Sequence, residues 1–302
     1  MKKYFVILIS IVILNTNIFA ISAKEIAQKS YNVNHTLYVD NVMIKKKKRK
    51  SILTISRMPG KKARVTAIER FLLNEHKNDV VESKDLVLIR SGKLKGLGVL
   101  MTSYLDPKRS HEYLMWIPAL RKVRRMAEPK DAGLGTGDIA FLEDAKLRRF
   151  DEESYQLIET KKMDLALEMM SFKKGEFAKY SKYIPRKKTI YIRNKKIHIL
   201  KSTYKSKHHW YDYRISYIDS ESFTDYVTKY YKNAKEIKKV YRHWTTLGNL
   251  SDPKAKIWYY WYSKDSKTGY EMLNYIPPSL IKVNQKIPKS FWSVRTLEKI
   301  KR

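Results

Sequence analysis

From residue 257 the chain reads Ile257-Trp258-Tyr259-Tyr260-Trp261-Tyr262, then a polar stretch ending in Thr268-Gly269, then Tyr270-Glu271-Met272-Leu273-Asn274-Tyr275. Two short runs of β-branched and aromatic residues around a Gly-containing turn read as a pair of strands. The first run carries large side chains at every position, whereas a strand with one wet face alternates. Either both faces of this strand are covered, or one lines a ligand cavity while the other packs under helices. The 22 tyrosines of the chain fit the second arrangement, because a tyrosine has an apolar body and a polar tip.

The same period of two recurs outward from this point. Strands are expected at 36–44, 51–57, 63–73, 85–90, 98–104 and 112–117, and again at 189–192, 196–203, 211–217, 224–231, 238–244, 257–262 and 270–275. Turns fall at Pro59-Gly60, Asp106-Pro107, Arg193-Asn194, Asp252-Pro253 and Thr268-Gly269. A short helix is expected at Lys24 to Tyr31. The middle is read as one or two helices, from Ile139 and Leu142 through Leu165, Leu167, Met169 and Met170 to Phe172. A closing helical turn or helix is expected from Ser290 to Ile300. About a dozen strands at hairpin spacing, with few helices, predict a mainly β fold: one large antiparallel sheet or partly closed barrel. No internal repeat or low-complexity linker divides residues 24–302, which are read as one domain.

The N-terminus sets the compartment. Met1-Lys2-Lys3 precedes an apolar run from Tyr4 to Leu14, followed by a weakly polar stretch with small residues at Ala20 and Ala23. This is the anatomy of a signal peptide over residues 1–23, cleaved after Ala20 or Ala23. The run is shorter than the roughly 20 apolar residues that span a bilayer. An exported, periplasmic protein is expected.

Export changes the meaning of the charge. With 63 Lys+Arg against 30 Asp+Glu, the formal net charge is +33, and such an excess points to an anionic partner. Inside a cell that partner would be nucleic acid. For an exported chain it is a membrane surface or an anionic envelope polymer, and no nucleic acid partner is expected. The run Lys45-Lys46-Lys47-Lys48-Arg49-Lys50 is read as the charged tip of a hairpin. It is either a solvated turn or, through Lys46, Lys47, Lys48 and Arg49, a loop that touches headgroups.

Catalysis finds little support. There is no Cys, which excludes a disulfide framework, thiolate chemistry and a lipid-modified N-terminal cysteine. The seven His include no His-x-x-x-His pair, so no metal is expected. No Gly-x-Ser-x-Gly elbow occurs. The loop Gly133-Leu134-Gly135-Thr136-Gly137-Asp138 lacks the Lys-Ser/Thr of a phosphate-binding loop. It reads as a connection in which Asp138 caps a following helix. The expectation is a non-enzyme without cofactors.

The stretch from Glu112 to Arg149 carries a family resemblance. Tyr113-Leu114-Met115-Trp116-Ile117-Pro118-Ala119-Leu120 runs into Arg121-Lys122-Val123-Arg124-Arg125-Met126, then the Gly-rich turn, then Asp138-Ile139-Ala140-Phe141-Leu142-Glu143-Asp144. This resembles the LolA-like outer membrane lipoprotein-sorting proteins. Two further stretches agree with their pattern: the Gly-containing strand entry Ser91 to Leu100, and Phe291-Trp292-Ser293-Val294-Arg295-Thr296-Leu297 near the C-terminus. The extra Gly in the turn, the segment Met163 to Lys187 and the high charge depart from it.

The resemblance implies an incomplete, LolA/LolB-like antiparallel barrel with one to three helices on its concave side. It also implies a periplasmic carrier that binds a lipid or lipoprotein acyl chain in an apolar cavity for transfer between envelope membranes. An inner-membrane transporter is then a candidate partner. Leu114, Trp116, Phe141, Leu142, Trp258 and Tyr260 are the expected ligand-binding residues, and Gly133, Gly135, Gly137 and Asp138 the expected lid hinge. The alternative is an exported basic module that binds an anionic cell-envelope polymer or membrane surface.

Overall fold

The computed structural model describes residues 21–127, 149–173, 175–176, 184–185, 189–206 and 209–299. The expected hinge glycines, Asp138, Phe141 and Leu142 lie outside these residues. Within them, β2 (Ile52–Arg57), β3 (Arg64–Asn74), β4 (Val81–Ile89), β5 (Gly98–Tyr104), β6 (Glu112–Ile117) and β7 (Lys122–Met126) form one antiparallel meander. A second meander runs from β8 (Glu153–Glu168) and β9 (Thr189–Tyr204) through β10 (Tyr213–Asp219) and β11 (Asp225–Lys232). It continues through β12 (Lys235–Thr246) and β13 (Lys256–Asp265) to β14 (Glu271–Tyr275). The two meanders join where β14 pairs antiparallel with β2, Tyr275 opposite Leu53 and Leu273 opposite Ile55. The result is one large, unclosed antiparallel sheet with β7 and β8 at its two ends.

Turn chemistry places most of the reversals where the sequence puts them. Gly60 and Gly269 take left-handed backbone angles, φ +71° and +68°, in the β2–β3 and β13–β14 turns. A Cβ on Gly269 would lie 2.8 Å from Pro59 Cγ, so the two turns can pack side by side only with glycine there. Asn233 and Ala234, with φ +49° and +59°, form the two-residue reversal between β11 and β12, consistent with a primed turn.

Four expectations are corrected. Residues 153–168, read as helical, are strand β8, in which Leu165 and Leu167 are buried while Asp164, Ala166 and Glu168 are exposed. That burial has a period of two, and pairing with β9 decides it. Arg193-Asn194 is not a turn but a bulge within β9. Asn194 takes φ +48°, its N–H donates to Asp164 Oδ1 at 2.8 Å, and the chain continues in the same direction. Arg121 to Met126, read only as a basic step, contributes edge strand β7. The lysine-rich run does close a tight turn, Lys47 bridging to Lys50, but it does not join two strands that pair with each other. The preceding strand β1 (Asn41–Ile44) and the following β2 both pair with β3, to residues 70–73 and 64–68 respectively. Lys45 to Lys50 is therefore a fully exposed excursion between two pieces on the same side of β3. Short β15 (Ile281–Val283) pairs on the free side of β1.

Two α-helices occur among the described residues. α1 (Ala23–Asn34) starts at a capping box: Ser22 Oγ accepts from the Glu25 N–H at 3.2 Å, and the Glu25 carboxylate accepts from the Ser22 N–H at 2.8 Å. Its buried residues Ile26, Ala27 and Val33 pack on Leu200, Ile218 and Phe223. The face that receives α1 is called the inner face. α2 (Val294–Lys299) lies on the other, outer face. There Leu297 and Trp292 cover Phe71, Leu86, Leu88, Leu100 and Trp116, and the Trp292 indole N–H donates to the Phe71 carbonyl at 2.7 Å.

The outer face of the second meander has a different cover. Leu165 and Leu167 of β8, with Met169, Met170 and Ile184, pack on Leu53, Ile55, Val227, Tyr241, Tyr260 and Leu273. The far half of the long β8–β9 ribbon thus folds back across the sheet. Tyr260 Oη accepts from the Met170 N–H at 2.9 Å, and the Tyr241 hydroxyl donates to Glu168 at 2.9 Å. Arg57 fixes the end of the arm, bonding to Glu271, Glu176 and the Ser171 carbonyl.

Candidate ligand-binding cavity

Between α1 and the inner face lies a cavity of about 200 Å³. Its walls differ in character. The first meander contributes Ile52, Ile68, Val87 and Met101 together with the paired Arg70 and Asp85, joined by Ile276 just after β14. The second contributes ionisable side chains and aromatic rings: Glu153, Arg214, Asp225, Tyr230, Lys238 and Arg242, with Trp210, Tyr211, Trp258 and Trp261. Ala27, Ser30, Tyr31, Asn34 and His35 of α1 and its C-terminal end close the remaining side. The Tyr31 hydroxyl bonds to Glu82 at 3.1 Å, tying the helix to β4. Burial beside that hydroxyl raises both groups out of their ordinary ranges, the Tyr31 phenol strongly.

Trp258 and Trp261 line the same cavity although they stand three residues apart on one strand. The register supplies the reason. Tyr260 pairs with His243 and Trp258 with Trp244, so Tyr259 is an extra residue between consecutive pairs. That bulge reverses the alternation: Trp258 and Trp261 face inward, while Tyr260 and Tyr262 join the outer core.

The charged residues form two networks, one of which runs from Glu153 and Arg214 through Ser216 and Thr228 to Asp225 and Arg242. Glu153 receives a two-pronged guanidinium, with Arg214 Nε at 2.9 Å and Nη2 at 2.6 Å, and also the Tyr211 hydroxyl at 2.8 Å. Burial alone would lower the Arg214 pKa, but the carboxylate outweighs it and holds the pKa well above the ordinary value. Asp225 Oδ2 accepts from Arg242 Nη1 at 2.9 Å and from the Thr228 hydroxyl at 3.2 Å. Asp85 Oδ2 accepts from Arg70 Nε at 2.8 Å and Nη2 at 2.7 Å. The other oxygen of each aspartate, Asp225 Oδ1 and Asp85 Oδ1, is buried without a hydrogen-bond partner. Lys238 sits 5.5 Å from the Trp210 ring and 5.7 Å from the Trp261 ring, and the Arg242 guanidinium 5.9 Å from Trp261. The inner face is also polar at Thr54, which is bonded to Asn274 at 2.7 Å.

Of the six expected ligand residues, Trp258 lines this cavity. Leu114 and Trp116 lie on the outer face, against the cluster under α2, and Tyr260 lies in the outer core beneath the β8–β9 arm. Phe141 and Leu142 are outside the described residues. Sequence reasoning missed the charged wall entirely. Its ionisable residues are scattered over four strands, and the one visible signal was that Arg214 and Arg242 interrupt otherwise aromatic runs. Among the described residues no group of three or more His, Asp or Glu is placed to hold a metal ion, and no helix is long and apolar enough to cross a membrane.

No family model and no curated protein matches this sequence. Solved structures do match. One, described as an outer membrane lipoprotein-sorting protein domain from Vibrio parahaemolyticus, superposes with a TM-score of 0.65 at 12% identity, covering 91% of this chain and 98% of that one. A DUF1329 family protein from Desulfovibrio piger gives 0.65 at 11% identity, with the same coverage of each chain. A LolA superfamily protein from Nitrosomonas europaea gives 0.52 at 13% identity, covering 92% of this chain and all of that one. The expected resemblance holds at the level of architecture. At such identities the likeness speaks for the fold and leaves the ligand to the cavity's own chemistry. The chain has the LolA-like fold of the outer membrane lipoprotein-sorting structures, built as a single unclosed antiparallel sheet with a helix against its inner face.

Proposed function

We propose that this protein is an exported, non-catalytic carrier that binds the acyl chain of a lipid or lipoprotein between α1 and the inner face of the sheet. The observation that carries the reading is the cavity itself. In a LolA-like fold, this chain leaves about 200 Å³ between a capped N-terminal helix and a wall of Ile52, Ile68, Val87, Met101 and Trp258. An acyl chain loses about 0.8 kcal/mol for each CH₂ left in water, so a carrier has to enclose it. The positive exterior, including the exposed Lys46, Lys47, Lys48 and Arg49, would draw the carrier to anionic leaflets in a salt-dependent way. The residues of the Gly133–Asp138 loop remain the proposed hinge of a lid, and a membrane transporter a proposed partner.

Helix α1 also bears on processing. Cleavage after Ala20 leaves Ser22 in place to cap α1, whereas cleavage after Ala23 removes it, at a cost of about 1 kcal/mol to the helix. We therefore place the mature N-terminus at Ile21, which intact-mass measurement of the secreted protein checks.

The test of the carrier is direct. Protein purified without detergent is extracted with organic solvent, and the extract is analysed by mass spectrometry. Co-purified lipid is expected in the wild type and is expected to be lost in Trp258→Asp, with the same circular dichroism. A wild-type protein that carries no lipid and takes none up from vesicles would refute the carrier. The exposed basic run favours a second reading, a binding module for anionic envelope polymer. For that reading the protein would be empty, and its polymer binding would fall steeply with salt.

A further inference from the structure

The wall of the cavity formed by β10–β12 is built for something other than a hydrocarbon chain. Ionised groups out of water cost several kcal/mol each, and hydrophobic residues of similar size often serve stability as well. Yet Arg242 and Asp225 are 5% and 3% exposed, and Lys238 is 7% exposed. Strand register sets Arg214, Tyr230 and Lys238 opposite one another in one row across β10, β11 and β12. The outer face of the same strands has Val227 and Tyr241 in its core and carries Lys229, Lys239 and Asp219. The row of Arg214 and Lys238, with Arg242, is on the face that meets the cavity. A purely structural ion pair would also be complete, but Asp225 keeps one buried oxygen without a donor. A buried acceptor without a donor calls for a partner that the described residues do not supply, and Asp85 Oδ1 on the other wall is in the same position.

We propose that the ligand is an amphiphile whose ionised headgroup is drawn inside the cavity: Arg242 and Lys238, against the rings of Trp210 and Trp261, face its anionic part, and the open oxygen of Asp225 accepts from a donor on the same headgroup. The proposal rests on the carrier reading and narrows its ligand. A phosphate ester that also bears an ammonium or hydroxyl group satisfies both halves of the site. A neutral acyl-glycerol anchor satisfies neither. The acyl portion then lies along Ile52, Ile68, Val87 and Met101, on the wall that also holds the Arg70–Asp85 pair.

The experiment offers delipidated full-length protein an equimolar mixture of three dioctanoyl lipids: phosphatidylethanolamine, phosphatidic acid and diacylglycerol. Native mass spectrometry reads which of them is bound. Phosphatidylethanolamine is expected to exceed diacylglycerol by about tenfold or more, as a charge-assisted contact implies, with phosphatidic acid between them. Arg242→Gln is expected to bring both phospholipids down to the diacylglycerol level. Asp225→Asn is expected to remove only the margin of phosphatidylethanolamine over phosphatidic acid. Equal binding of diacylglycerol and the phospholipids by the wild type would overturn the proposal while leaving the carrier intact. Equal binding of the two phospholipids would overturn the role of Asp225. Failure to bind any of the three would overturn the carrier reading itself. The wild-type comparison decides the main question even if a variant does not fold.

Discussion

Acidification from pH 7 to pH 5 is expected to destabilise the folded chain through His243, by an amount that follows from where the ring sits. His243 is 4% exposed on β12, with the Tyr260 ring 5.1 Å away edge-on and Tyr259 at 6.2 Å. Leu167, Ile190 and Ile192 line the same small outer-face cavity. Nε2 has no hydrogen-bond partner. Burial pushes the imidazole down to about 4 from its ordinary 6.5, against a smaller opposing effect from its bond to the Glu168 backbone. The folded-state value is the lower one, so the unfolded chain takes up the proton first. This contribution to stability is therefore full above about pH 6.5 and is lost as pH falls toward about 4. At 1.36 kcal/mol per pH unit the whole effect is about 3 kcal/mol, of which about 2 kcal/mol is already gone at pH 5. Urea denaturation at pH 7, 6 and 5 measures it, with His243→Asn as the reference that cannot titrate. The wild type should lose about 2 kcal/mol more than the variant between pH 7 and pH 5. Parallel losses in the two proteins would show that the ring is hydrated or paired, and the reasoning would fail.

Three further outcomes follow from the placement of side chains. Trp116→Asp puts a charge under α2, where Trp116 is 3% exposed. It should lower stability by about 4 kcal/mol or more without changing lipid content per folded molecule. A well-folded but emptied variant would put Trp116 on the wrong face. Gly98→Ala brings a Cβ to 2.9 Å from Leu297 Cδ2 and 3.3 Å from Leu88 Cδ2. It should cost about 1–3 kcal/mol and make the last helix the first site of limited proteolysis; unchanged protection would contradict the close approach. Replacing Lys46, Lys47, Lys48 and Arg49 by Gln should weaken binding to anionic vesicles by about 1 kcal/mol per residue. Co-sedimentation with anionic and neutral vesicles reads this, and an equal drop on both would mean that the run is not an electrostatic contact.

The strands were legible because runs of β-branched and aromatic residues stand between turn residues, and β5 and β6 stand at the boundaries expected from their sequence alone, although β5 is buried on both faces. The errors cluster where local pattern and pairing compete. Leu165, Leu167 and Met169 alternate like a strand, yet lie close enough to Met170 and Phe172 to look like a helix stripe. Only their contact with Leu53, Tyr241 and Tyr260, far away in sequence, settles the matter. The lysine run looked like a hairpin tip because it separates two strands, but both strands pair with β3. Long-range pairing of that kind leaves no local mark.

The candidate site divides in the same way. By itself the sequence determined a β-rich chain, a family-like architecture and strands apolar on both faces, because these follow from composition and period. The tertiary structure alone decided which ring faces which side. One extra residue at Tyr259 turns Trp258 and Trp261 to the cavity and Tyr260 away from it, and a bulge shows only in the register between two strands. The meeting of Glu153 with Arg214 and of Asp225 with Arg242 was likewise beyond the sequence. Those partners stand 61 and 17 residues apart, and it is the fold that removes them from water and makes their pairing necessary.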